Sequence, residues 1–141
     1  MVDEALSRMS LTEISEALVK REVSSQEVVR NSLEELEKRG PSLNCVARLF
    51  PEQALAEAES ADQELSSGIS PGPLHGVPLL HKDMFYRTGK ISACGSKICK
   101  DFVPDATATA LLKLDQAGAL DIGRLKMVEF AYGLTGHNEI T

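Results

Sequence analysis

The chain has 141 residues, 43% hydrophobic and 26% charged, a globular balance that suits one ordinary domain and excludes a disordered polymer. A formal net charge of -6, with 4% aromatics and no Trp, removes the ground for nucleic-acid or anionic-membrane binding: there is no Lys/Arg run to displace counterions and no platform for stacking bases. The three cysteines, Cys45, Cys94 and Cys99, are an odd set, residues 1–10 are no secretion leader, and no stretch approaches the ~20 apolar residues of a membrane span; the expectation is a cytoplasmic protein with reduced thiols.

In chain order, Ser10 with Glu13 forms a capping-box pattern and predicts a first helix with Leu11, Ile14 and Leu18 on one face. Ser24 with Glu27 repeats the pattern for a second helix, carrying Val29, Leu33 and Leu36 at helical spacing, with Gly40-Pro41 read as its stop. Asn44 to Phe50 is short and apolar enough for a strand, and Pro51, at a first helical position, opens a helix from Glu52 to Leu65 with Ala54, Leu55, Ala58 and Leu65 as its buried stripe. The run SSGISPGP, residues 66–73, reads as a surface loop.

The architecture changes after that loop. Val77 to Lys82 predicts a strand that delivers Lys82 at its carboxyl end, with Pro78 tolerable because it lies near the start. Ile91 to Asp101 is a small-residue connection, Asp105 is the expected cap of a helix from Ala106 to Ala117, Gly118 ends that helix, and Ala119 to Gly123 is the next strand. Asp121 interrupts this strand; it is expected at an edge, since burial would demand a partner such as Arg124 or Lys126. Met127 to Tyr132 reads as a short helix. A helix followed by a strand in this manner is the mark of βαβ packing, so the expected class is α/β.

Chemistry concentrates in GPLHGVPLLHKD, Gly72 to Asp83, where a turn and a strand bring a lysine to the end of a sheet, the place where open α/β folds hold ligands. A lysine that takes a proton must be uncharged, and apolar neighbours such as Val77, Leu79 and Leu80 favour that form by desolvation. Asp83 need not pair with Lys82, because adjacent strand residues point to opposite faces. On position alone, Lys82 is a solvated strand-end lysine.

Other groupings compete. His75, His81, Cys94 and Cys99 supply four zinc ligands in number and type and define a small structural metal module as the reading from a different class. Their spacings lie at or beyond the usual range, their order is inverted, and Pro78 stiffens the path between the histidines; the plainer reading makes His75 a turn residue and His81 a strand side chain. Lys97 and Lys100 flank Cys99, but ordinary loop thiols are the simpler account of Cys94 and Cys99. Tyr132, beside Glu129 and Phe130, is a candidate for a substrate pocket, against a plainer place in the core. Ser96 and Thr135 are read as backbone-capping hydroxyls rather than nucleophiles.

The stretch G-P-L-H-G-V-P-x-x-x-K-D, with Gly95-Ser96, Pro104-Asp105-Ala106, Ala117-Gly118-Ala119, Met127 and EFAYGLTGHN from Glu129 to Asn138, resembles the amidase-signature enzymes over essentially the whole chain. The resemblance implies N-terminal helices over residues 1–66, then from residue 74 to 141 part of a mixed, largely parallel sheet flanked by helices, an incomplete amidase-signature fold. It implies hydrolysis of carboxylic amide C–N bonds, small-molecule or peptidyl, without a cofactor. A nucleophilic serine would attack the carbonyl, a second serine on a cis peptide would relay the proton, and Lys82 would be the ultimate base, with backbone amides of a Gly/Ser-rich loop holding the oxyanion. No Gly-Gly-Ser-Ser-Gly-Gly-like stretch occurs in the 141 residues, so this chain carries the lysine alone and is expected to be inactive by itself. A non-catalytic interaction or pseudoenzyme fragment is the alternative, with copies associating through an exposed sheet edge. Lys126 and Val128 depart from the family pattern, which usually has Asn and a small polar residue there.

Overall fold

The computed structural model describes residues 2–69 and 72–138. Ser70 and Pro71, within the expected loop 66–73, lie outside the described residues. A single 3-10 turn, Leu6–Arg8, precedes α1 (Leu11–Lys20) and α2 (Ser25–Leu43); β1 (Val46–Leu49), α3 (Pro51–Ser66), β2 (Pro78–Lys82), α4 (Thr109–Gln116) and β3 (Leu120–Leu125) follow.

Both capping boxes form. The Ser10 hydroxyl accepts from the Glu13 amide while the Glu13 carboxylate accepts from the Ser10 amide, and Ser24 and Glu27 do the same at α2, so orphan amides at each helix start are satisfied reciprocally. A carboxylate from another helix completes the second start: Asp62 of α3 accepts from the Ser25 and Gln26 amides at 2.6 and 3.1 Å, which pins α3 to the head of α2.

Gly40-Pro41 does not stop α2, which runs on to Leu43 and ends at Asn44 in the left-handed region with φ 50°. Pro41 falls in the last turn, where it removes only the bond its amide would have given to the Glu37 carbonyl. Gly40 serves packing instead. It is buried, and a Cβ there would stand 3.0 Å from Val46 Cγ2, so the missing side chain lets β1 approach the helix.

Asp105 does not cap α4. The helix starts later, at Thr109, with Ala108 as its N-terminal boundary and no side-chain cap, because the Ala108 amide is committed to Tyr86 O at 2.8 Å. The expected helix from Met127 to Tyr132 shrinks to one 3-10 turn at Glu129–Ala131; Phe130 and Ala131 have φ of 50° and 58°, which no right-handed helix accepts.

The sheet has the order β1-β3-β2, with β2 parallel and β1 antiparallel to β3. Asp121 is therefore on the central strand, not at an edge, and is buried. One face of the sheet, with Leu120, Ile122, Leu80 and Leu49, packs on Val29 and Leu33 of α2 and Ala54 and Ala58 of α3. A second cluster joins Leu6, Leu18, Val28 and Val77, with Ile14 packed against it, while Leu11 stays exposed. Small alanines on α3, Ala54, Ala58 and Ala61, let it lie close to the sheet.

Candidate active site

Lys82 is the last residue of β2 and sits half-buried opposite Leu125 of β3. Its carbonyl accepts from the amides of Met84 and Phe85 at 2.7 and 3.1 Å, a tight turn that lifts the chain off the sheet directly after the lysine. The backbone on either side is locked as well: the Asp83 amide donates to Leu125 O at 3.1 Å, and Asp83 O accepts from the Cys94 amide at 2.9 Å.

Asp83 is 3% exposed, and its side chain does not turn to its neighbour. Its Oδ1 accepts from Arg48 Nη2 at 2.6 Å, and the same nitrogen reaches Ile91 O at 3.3 Å. Arg48, on β1, thus spans the sheet to hold both ends of the segment that leaves Lys82. Nothing in the sequence marks this residue, because a lone arginine in a four-residue strand has no periodic signal; only strand order brings it to Asp83.

Two loops are zipped together beside this strand end. Ser96 Oγ donates to Glu129 Oε1 at 2.6 Å and accepts from the Ile98 amide at 3.2 Å. Asn138 Nδ2 donates to Gly95 O at 2.8 Å and Met127 O at 2.7 Å, and the Phe130 amide donates to Cys94 O at 2.9 Å. Gly95 is required where the loops meet: its φ is 64°, and a Cβ would stand 2.6 Å from Met127 O. Ser96 and Thr135, which accepts from the His137 amide at 3.4 Å, are capping hydroxyls as expected. Tyr132 is 93% exposed, so it does not pack in the core.

The other side of β2 carries an ionic network. His81 Nε2 lies 3.9 Å from Asp121 Oδ1, and burial pushes its imidazole below the ordinary histidine value; Asp121 opposes that shift, whereas Arg124 and Arg87 reinforce it. Arg124, fully buried, donates from Nη1 to Asp121 Oδ1 at 2.6 Å, which supplies the partner Asp121 requires. Its remaining nitrogens have no hydrogen-bond partner among the described residues, and its guanidinium lies 5.3 Å from the centre of the Phe50 ring, a cation–π contact in their place. Arg87 forms a two-pronged bond to Asp115 at 2.9 and 2.8 Å, which raises its pKa, and its Nε approaches Asp121 Oδ2 at 2.7 Å without hydrogen-bond alignment. A concavity of about 400 Å³ lined in part by Arg87, Asp115 and Asp121 opens near the start of β3; Lys82 is not among its lining residues.

The zinc reading fails on this geometry. His75 Nε2 lies 3.0 Å from Ala61 O, His81 faces Asp121, and among the described residues no group of three or more His, Cys, Asp or Glu converges on a metal position. Cys94 and Cys99 are half-buried free thiols; burial, then Cys99 and Asp83, pushes Cys94 up, away from the reactive thiolate. No helix among the described residues is long and apolar enough to cross a membrane.

A family model described as Amidase matches residues 27–141. The chain belongs to the amidase family. Among its relatives, the AmiD protein of Mycobacterium tuberculosis is 39% identical over 130 residues, covering 92% of this chain and 27% of AmiD. The A-type polypeptide of the glutamyl-tRNA(Gln) amidotransferase of an Azoarcus species is 41% identical over 124 residues, 88% of this chain and 25% of that polypeptide. The crystal structure of a bacterial aryl acylamidase of the amidase-signature family superposes with a TM-score of 0.80 at 28% identity, over 86% of this chain and 26% of that one. This amidase-family chain thus spans about a quarter of the length of the relatives it matches. Its mixed α/β architecture is that part of the amidase-signature fold, as the resemblance at Gly72 to Asp83 implied.

Proposed function

We propose that this chain is the lysine-bearing, N-terminal portion of a single amidase domain, divided into a mainly helical part, residues 1–66, and the start of the α/β core, residues 74–141, in a cytoplasmic enzyme that hydrolyses carboxylic amides. Lys82 is the general base in this reading: it takes the proton that a nucleophilic serine, through a second serine on a cis peptide, releases on attacking the amide carbonyl. The observation that carries it is the setting of Lys82 at the carboxyl end of β2, with the neighbouring carboxylate of Asp83 engaged by Arg48 and so not paired with the amine. Tyr132, exposed beside the zipped loops, is the proposed substrate contact.

The described residues contain the base without the serines, so the chain alone has no nucleophile to activate and no turnover is expected. Copies are proposed to associate through the outer edges of β1 and β2, which flank the central β3.

Complementation tests the catalytic assignment. The chain is mixed with a polypeptide comprising the part of the AmiD protein that lies beyond the matched residues, and hydrolysis of simple aromatic and aliphatic amides is followed by ammonia release. The expected result is no turnover by the chain alone, turnover by the mixture, and loss of at least about a hundredfold of that turnover with Lys82→Met. Turnover by the unmixed chain, or full turnover of the mixture with Lys82→Met, refutes the assignment.

A further inference from the structure

The connection between β2 and α4 contains a loop closed on itself, residues 92–102, which carries two of the three cysteines. The Ser92 amide donates to Phe102 O at 3.0 Å and joins the ends of the loop. Inside it the chain reverses twice: the Ser96 amide donates to Ala93 O at 2.9 Å in a turn around Cys94, and the Phe102 amide donates to Cys99 O at 3.0 Å in a turn that Cys99 opens. Between the two turns the Ser96 hydroxyl accepts from the Ile98 amide at 3.2 Å, so the segment from Cys94 to Cys99 is folded back rather than extended. Cys94 is fixed more firmly than the rest, with φ at 52°, its amide on Asp83 O and its carbonyl on the Phe130 amide. Both thiols are half-buried and free. Burial first, and then Cys99, pushes the Cys94 thiol up, so the two sulfurs interact across the loop.

We propose that Cys94 and Cys99 are a peroxide-sensitive dithiol that closes to a disulfide within this loop. The Cys99 thiolate, flanked in sequence by Lys97 and Lys100, attacks the peroxide: an S–O bond forms, the O–O bond breaks, and the departing hydroxide takes a proton and leaves as water. Cys99 is then a neutral sulfenic acid and no longer opposes ionisation of Cys94. The Cys94 sulfur attacks it, the S–S bond forms, the S–O bond breaks, and a second water leaves with the Cys94 proton. In sum, two thiols and one hydrogen peroxide give one disulfide and two waters. The bond ties the Cys99 turn to a residue whose amide and carbonyl already hold the segment after Lys82 to the Glu129–Ala131 turn. The pair is independent of the catalytic reading, because none of its chemistry uses Lys82 or an amide substrate.

The test treats the reduced full chain with hydrogen peroxide near neutral pH, blocks remaining thiols by alkylation and digests with trypsin. Cleavage after Lys97 falls between the two cysteines, so the expected product is peptide 91–97 joined to peptide 98–100, with Cys45 in peptide 40–48 alkylated. In Cys94→Ser the sulfenic acid should persist at Cys99 and be captured by dimedone, whereas Cys99→Ser should give at least about tenfold less capture at Cys94. In glutathione buffers the folded chain should hold the bond at a reduced-to-oxidised ratio about tenfold more reducing than the chain in urea does. Links through Cys45, dimers joined between chains, sulfinic acid without a link, dimedone capture chiefly at Cys94, or a bond no more stable in the folded chain than in urea overturns the proposal. The wild-type digest and the glutathione comparison stand without either variant, so a variant that fails to fold leaves the proposal decided by them.

Discussion

Arg48 Nη2 donates to Asp83 Oδ1 at 2.6 Å across a separation of 35 residues, so the carboxylate next to Lys82 belongs to β1 and not to the lysine. The pair has two consequences, one for the lysine and one for the fold. It engages the carboxylate adjacent to Lys82, the proposed general base, and it ties the turn after β2 to the far strand. Arg48→Met leaves a buried carboxylate without its cation and should destabilise the chain by about 2–3 kcal/mol, less than for a fully enclosed pair because Arg48 is about one-third exposed. Urea unfolding measures this, and Arg48→Met combined with Asp83→Leu should recover most of the loss. A double variant no more stable than Arg48→Met alone would show that the pair is not the unit that matters.

Asp121 lies between two arginines and, among the described residues, is the sole carboxylate paired with the fully buried Arg124. Asp121→Ala strands that guanidinium in the interior of the sheet, at an expected cost of about 3–5 kcal/mol. Thermal or urea unfolding reads it directly. A loss below about 1 kcal/mol would mean that the Phe50 ring and the Gly123 carbonyl satisfy Arg124 well enough.

His81 predicts a pH dependence with a definite sign. Its folded-state pKa is lowered, chiefly by burial, so the unfolded chain binds the proton more readily than the folded one. Its contribution to stability is complete above the ordinary histidine value and declines as pH falls through that value toward the lower folded one. Between about pH 7.5 and 5, wild type should therefore lose stability relative to His81→Leu. Asp121, Asp115, Arg87 and Arg124 surround position 81 in both proteins, so the difference between the two curves isolates the imidazole. Parallel curves would show that His81 takes up a proton without penalty.

Gly95 is where the two loops near Lys82 meet, and Gly95→Ala places a methyl against Met127 O and Asn138 Nδ2 in a left-handed conformation. The cost should be about 1–2 kcal/mol, concentrated locally. Hydrogen exchange of the Phe130 amide, which donates to Cys94 O, should accelerate about tenfold while amides of α2 are unchanged. Equal acceleration everywhere would point to global destabilisation instead.

Local pattern carried much of this fold. Capping pairs at Ser10/Glu13 and Ser24/Glu27 marked helix starts because their partners are three residues away, and the strand of Lys82 was bounded by Pro78 and by the charged pair Lys82-Asp83. Errors arose where a local signal was overruled by a distant contact. Gly40-Pro41 looks like a terminator, yet Gly40 is small in order to admit Val46; Asp105 looks like a cap, yet Ala108 is held by Tyr86.

By itself, then, the order of residues determined the helices of the N-terminal half, the α/β class and the lysine at a strand's end, since each rests on periodicity and short-range hydrogen bonding. The tertiary structure decided which strand is central, and with it the burial of Asp121, the partnership of Arg48 with Asp83, and the separation of the histidines from the cysteines. These are matters of strand order and side-chain direction across tens of residues, and spacing along one chain does not encode them.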